Sequence, residues 1–183
     1  MKIESLAIPD VKLLTPRIFR DARGFFSETW NEKALQAAGI DARFVQDNHA
    51  LSGPKGTIRA LHFQKAPMAQ DKLVRAVRGS VLDVALDLRR SSPTFGQHVS
   101  AVLSAENWAQ IWVPKGFAHG YVTLEPDTEV IYKVTEYYSL PHDSGLQWDD
   151  PALGIDWGFT RADAALSDKD AKLPPLSQLG YAF

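Results

Sequence analysis

The feature that most constrains this chain is its succession of short apolar segments, each cut off by Gly, Pro, Ser or Asn. "FVQDNHA", "TIRALHFQ", "KLVRAVRG", "SVLDVALDLR", "QHVSAVLS", "AQIWVPKG", "HGYVTLE" and "EVIYKVTEYY" are rich in β-branched and aromatic residues and too closely spaced for long helices. Such a pattern folds as an all-β sandwich or barrel. One helix is expected, in "NEKALQAAG", with Asn31 as N-cap and Gly39 where the chain leaves it. From Asp149 onward the chain is richer in Pro, Gly and Asp and reads as irregular structure with short helical turns packed over the strands. No linker interrupts it, so residues 1–183 are expected to form one domain, and a chain of 183 residues is long enough for a real core.

Alternate residues of a strand face opposite sides, which sorts the polar groups. In "SVLDVALDL" the leucine-rich face (Leu82, Val84, Leu86, Leu88) is a core face. Asp83 and Asp87 then share the other face with Val81 and Ala85, as in a barrel lumen lined by polar groups. In "EVIYKVTEYY" the same parity puts Tyr132 and Tyr138 on one side of the sheet. In "TIRALHFQ" it separates His62, with Ile58, Ala60 and Gln64, from Arg59, with Leu61 and Phe63. A regular strand cannot aim both His62 and Arg59 into one cavity.

Charge narrows the functional classes. The formal net charge of -2 argues against a nucleic-acid surface, and no apolar run is long enough to cross a bilayer. No apolar leader stands at Met1, so a cytoplasmic protein with no membrane partner is expected. With no cysteine in the chain, thiol nucleophiles and thiolate metal sites are excluded. Between Lys55 and Arg78 six basic residues stand against Asp71 alone, whereas Asp143 to Asp170 holds seven aspartates against Arg161 and Lys169. The basic segment suits a small anion such as a diphosphate.

In "WVPKGFAHGYV", Pro114 and Gly116 make a tight turn and His119 follows three residues beyond the glycine. This resembles the second cupin motif, whose histidine in many cupins holds a metal together with an H-x-H pair. Here the earlier strand offers only His62, and neither His49 nor His98 replaces the missing ligand, so a metal-free site on a cupin barrel is the better reading.

Taken together and in order, "RGFFSETW", "FVQDNHA", "IRALHFQ", "KLVRAVRGSVLDVALDLR", "SPTFGQ", "LSAENWAQIWVPKGFAHGYVTL", "YKVTEYYS" and "LSDKDAKLP" resemble the dTDP-4-dehydrorhamnose 3,5-epimerase family over nearly the whole chain. The resemblance implies a cupin or jelly-roll barrel, a dTDP-4-keto-6-deoxyhexose substrate, no cofactor and a homodimer. It makes His62 the base, Asp170 the carboxylate paired with it, Tyr132 the proton donor and Lys72 the cation near the keto oxygen. It associates Phe19, Arg23, Glu28, Gln46, Asp47, Asn48, Arg59, His119, Tyr138, Asp143 and Lys169, besides Lys72, with the nucleotide sugar. Phe19 and Arg23 are the best candidates to serve a partner subunit's site. Ala60 stands where the family usually has glycine and could crowd the backbone beside the site, and Asp168 could soften the charge on Lys169.

The chemistry wants these residue types. Inverting a carbon next to a ketone takes a base on one face, a donor on the other and a cation or donor for the enolate oxygen. Lys72, with its charge fixed, would hold that oxygen, and a carboxylate on the far nitrogen of His62 would fix its tautomer. The alternatives are a relative that inverts one carbon or moves the ketone, a nucleotide-sugar-binding cupin without turnover, and a metal-dependent cupin.

Overall fold

The computed structural model describes residues 1–180 and 183. Thirteen strands follow in chain order: β1 (Lys2–Ser5), β2 (Lys12–Thr15), β3 (Ile18–Asp21), β4 (Gly24–Ser27), β5 (Gln46–Ser52), β6 (Ile58–Gln64), β7 (Lys72–Arg78), β8 (Ser80–Asp87), β9 (His98–Ser104), β10 (Gln110–Val113), β11 (Phe117–Thr123), β12 (Thr128–Val134) and β13 (Asp143–Gly145). The helix α1 (Glu32–Ala37) lies between β4 and β5. Asn31 caps it, its side chain accepting from the Ala34 amide at 3.1 Å, and Gly39 leaves with φ +78°. The last third contains short 3-10 turns, among them Pro151–Leu153, Asp170–Lys172 and Leu176–Gln178.

Two antiparallel sheets make the barrel. One runs β1-β2-β10-β7-β12-β5 and the other β13-β6-β11-β8-β9, with β3 and β4 forming a separate hairpin. Between the sheets lies a core of Val74, Ala76, Val81, Ala85, Ile111, Val113 and Val130, all buried. The outer face of the five-stranded sheet is covered in turn: Val84, Leu86 and Leu88 pack against Leu146, Trp148, Leu153 and Trp157 of the C-terminal segment. Both faces of β8 are therefore buried. The leucines meet the C-terminal cover, and the aspartate face turns into the barrel.

Asp87 and Asp83 part company within that face. Asp87 lies at one end, where it accepts from Arg89, Ser92 and Thr94 at 2.6–2.9 Å, and these bonds overcome its burial to hold its carboxyl near 2. It ties the loop after β8 and does not reach the functional cavity. Asp83, fully buried, meets His119, which lines that cavity.

A β-bulge resolves the parity conflict in β6. On β11, His119 pairs with His62 and Tyr121 pairs with Arg59, so three steps along β6 match two along β11. The extra residue reverses the alternation, and Arg59 and His62 face the same cavity. Ala60, in the bulged segment, points away from that cavity into the core. It lies against Gly120, where an added Cβ would come within 2.3 Å of the Ala60 Cβ. Ala60 crowds a glycine on the neighbouring strand, not the site.

Candidate active site

A cavity of about 660 Å³ opens between the two sheets and suits a drug-sized or nucleotide-sized ligand. Strands β5, β6, β7, β11 and β12 supply its walls, and the C-terminal segment carrying Lys169 and Asp170 closes one side.

His62 lies on the wall from β6, half-buried. Its Nε2 is 2.8 Å from Asp170 Oδ1, and the Asp170 carboxylate is nearly all buried. Asp170 opens a 3-10 turn whose backbone is anchored by the Asp170 amide donating to Ser167 Oγ at 3.1 Å. The dyad thus joins residues 108 positions apart in sequence. With Nε2 engaged by the carboxylate, Nδ1 is the nitrogen left for a proton from a ligand.

Lys72, the first residue of β7, is buried beside the dyad, with Nζ 3.4 Å from the carbonyl oxygen of His62. Burial pulls its ammonium down to about 8, against the pull of the carboxylates of Asp83 and Asp143. This corrects the expectation that its charge is fixed: the protonated form is lost as pH rises through about 8. If cationic Lys72 serves turnover, kcat/KM falls on an alkaline limb near pH 8, and Lys72→Arg moves that limb upward. A flat profile from pH 7 to 9.5 would separate Lys72 from the chemistry.

Across the cavity stands Tyr132, from β12. Burial raises its phenol above the ordinary tyrosine range, opposed by the nearby Arg59 charge, so it carries its proton at neutral pH. The strand ends at Val134, before Tyr138, yet both tyrosines line the cavity. Tyr138 is half-exposed at the mouth, its hydroxyl donating to Asp143 Oδ2 at 3.1 Å. The same carboxylate takes Lys169, whose ammonium, though partly desolvated, is raised by Asp143. Asp143, not the exposed Asp168, offsets the charge of Lys169.

His119 and Asp83 form a buried pair, Nε2 to Oδ2 at 2.9 Å, and burial raises the carboxyl of Asp83 against the pull of His119 and Lys72. His119 still lines the cavity. Among the described residues, no three His, Asp or Glu side chains converge closely enough to share a metal ion. His49 instead meets Glu129 at 2.8 Å on the surface.

Gln46, Asn48 and Arg59 also line the cavity. Gln46 Nε2 donates to Asn48 Oδ1 at 2.8 Å, and Gln46 Oε1 accepts from the Tyr138 amide at 3.1 Å. Four expected residues are not brought there. Phe19, Arg23 and Glu28 belong to the β3–β4 region on the outside, and exposed Asp47 pairs with Lys133 at 3.1 Å. Sequence reasoning missed Gln64, Ser52 and Tyr121. Gln64 pins the Tyr138 segment, accepting from the Ser139 amide at 2.6 Å and donating to Tyr137 O at 3.1 Å. Tyr121 was detectable by its spacing of two from His119, whereas nothing in the sequence distinguished Ser52.

Comparison with known proteins identifies the family. Residues 5–178 match the family model described as dTDP-4-dehydrorhamnose 3,5-epimerase. A relative of that name from Sinorhizobium fredii is 53% identical over 183 residues, covering 100% of this chain and 93% of its own. The crystal structure of the Bacillus anthracis dTDP-4-dehydrorhamnose 3,5-epimerase, with TDP and PPi bound, is 52% identical with a TM-score of 0.92, over 96% of this chain and 99% of that one. The Legionella pneumophila epimerase in complex with dTDP-4-keto-L-rhamnose is 42% identical with a TM-score of 0.93, over 98% and 94%. Fold and likeness together define an isomerase built on the cupin barrel. The chain belongs to the dTDP-4-dehydrorhamnose 3,5-epimerase family.

Proposed function

We propose that this chain converts dTDP-4-dehydro-6-deoxy-D-glucose into dTDP-4-dehydro-L-rhamnose by inverting carbons 3 and 5, as its family membership indicates. The observation that carries the residue roles is the His62–Asp170 dyad, 2.8 Å across, in a cavity with Lys72 beside it and Tyr132 among its walls. His62 takes the proton on the carbon next to the ketone, and Asp170 stabilises the imidazolium. The electron pair moves onto the oxygen at carbon 4, where Lys72 offsets the developing charge, an effect worth roughly 3 kcal/mol for one donor in other enzymes. Tyr132 returns a proton from the opposite face. Carbons 3 and 5 flank the same ketone, so one set of groups serves both once the sugar turns, and the chemistry calls for no cofactor.

Arg59 faces the diphosphate and Tyr138 the thymine in this reading, with Gln46, Asn48, His119, Asp143 and Lys169 around the rest of the nucleotide sugar. A homodimer accounts for the remainder. Phe25 and Phe26 on the hairpin are 60% and 68% exposed, an apolar surface that a second copy would cover while receiving Phe19, Arg23 and Glu28 at its own cavity. The core shared by the two sheets supports reading residues 1–183 as one domain.

Turnover in deuterated water tests the reaction. Label at both carbons of an L-configured product is the expected result; label at one carbon would indicate a single-carbon epimerase, and label at neither a binding protein. Sedimentation of a monomer at working concentration would remove the dimer.

A further inference from the structure

Tyr121 has no part in the chemistry above, yet it lines the cavity. On β11 its Cα partners are Arg59 on one side and Asp83 on the other. The residue is 4% exposed, and its hydroxyl is buried without a hydrogen-bond partner among the described residues. An idle polar group of this kind destabilises a fold, so its retention asks for a reason. Ser52 stands beside the hydroxyl, near enough to pull the phenol down against the effect of burial. Its Oγ already accepts from Arg59 Nε at 3.2 Å, while Leu51 O accepts from Arg59 Nη2 at 3.2 Å. Ser52 thus sits between a guanidinium and a phenol, and Arg59 Nη1 has no hydrogen-bond partner among the described residues. Burial pushes the Tyr121 phenol up to about 12, so it remains an O–H donor across the working pH range.

We propose that Tyr121 is a positioning residue for Arg59: when a nucleoside diphosphate draws the guanidinium toward itself, the Tyr121 hydroxyl donates to Ser52 Oγ and closes a Tyr121–Ser52–Arg59 chain. The proposal rests on the reading of Arg59 as a diphosphate contact. Arginine loses considerable side-chain freedom when it clamps a ligand, and a chain rooted in a buried strand lowers that loss. Because the hydroxyl is idle without ligand and satisfied with it, its removal acts with opposite signs on the two states.

The test is the melting temperature of the ligand-free protein and the Kd for dTDP, measured for the wild type, Tyr121→Phe, Ser52→Ala, their double variant and Arg59→Ala. Tyr121→Phe should melt at or above wild type, by up to roughly 4 °C, yet bind dTDP about tenfold more weakly. Ser52→Ala should weaken binding similarly, and the double variant no further, since coupled residues are not additive. Three results would overturn the proposal: a Tyr121→Phe Kd within twofold of wild type, a lower melting temperature for that variant, or losses that multiply in the double variant. If Arg59→Ala binds dTDP normally, the diphosphate reading falls and this proposal with it. If Arg59→Ala weakens binding while Tyr121→Phe does not, only the proposal falls.

Discussion

His62→Asn is expected to abolish exchange of solvent deuterium at both carbons and to lower kcat/KM by about 10³-fold or more, a loss in the upper range for a general base. Asparagine matches the imidazole in polarity and approximate size, so the cavity keeps its shape, but its amide cannot take a proton near neutral pH. Asp170 then faces an amide where it faced a ring nitrogen, and the carboxylate that stabilised the imidazolium has no charge to stabilise. With the nucleotide held by the other proposed contacts of the cavity, dTDP should bind within about twofold of wild type, the separation expected of a group used only in the transition state. Isotope tracing by NMR alongside calorimetric binding checks both halves. Substantial exchange at either carbon in the variant would exclude His62 as the sole base.

Tyr132→Phe should separate exchange from inversion. A base alone removes a proton and restores it to the same face, so exchange depends on His62, while the L-configured product needs a donor opposite. The substitution removes one hydroxyl and leaves the ring packed at the edge of the inter-sheet core, where Tyr132 lies against Val74 and its neighbours. Solvent deuterium should still enter at the first carbon, with formation of the L-sugar reduced by about 10²-fold or more. Chromatographic separation of the products with mass analysis gives both quantities at once. Near-wild-type formation of dTDP-4-dehydro-L-rhamnose would pass the donor role to water or another group, leaving Tyr132 a wall residue.

Most of the barrel was legible in local pattern, because β5 through β12 combine apolar runs with turn residues at their ends. The N-terminal strands were not. β1, β3 and β4 are four residues each and largely exposed, so no apolar face marks them. The dyad itself was named by family likeness, since nothing local in "LSDKD" shows that Asp170 returns to β6. Side-chain alternation served well for Asp83 and failed for Arg59 and His62, because pairing between strands decides where a bulge falls. The charge state of Lys72 was likewise invisible: it depends on how deeply the folded barrel buries the ammonium.

The bulge between Arg59 and His62 also governs how this enzyme can be varied. Substitutions in that segment change a side chain while leaving the count of residues intact, so both neighbours keep facing the ligand. Deleting one residue is expected to restore regular alternation and to turn either His62 or Arg59 away from the cavity. Libraries for altered sugar specificity should therefore hold the length of residues 59–62 constant.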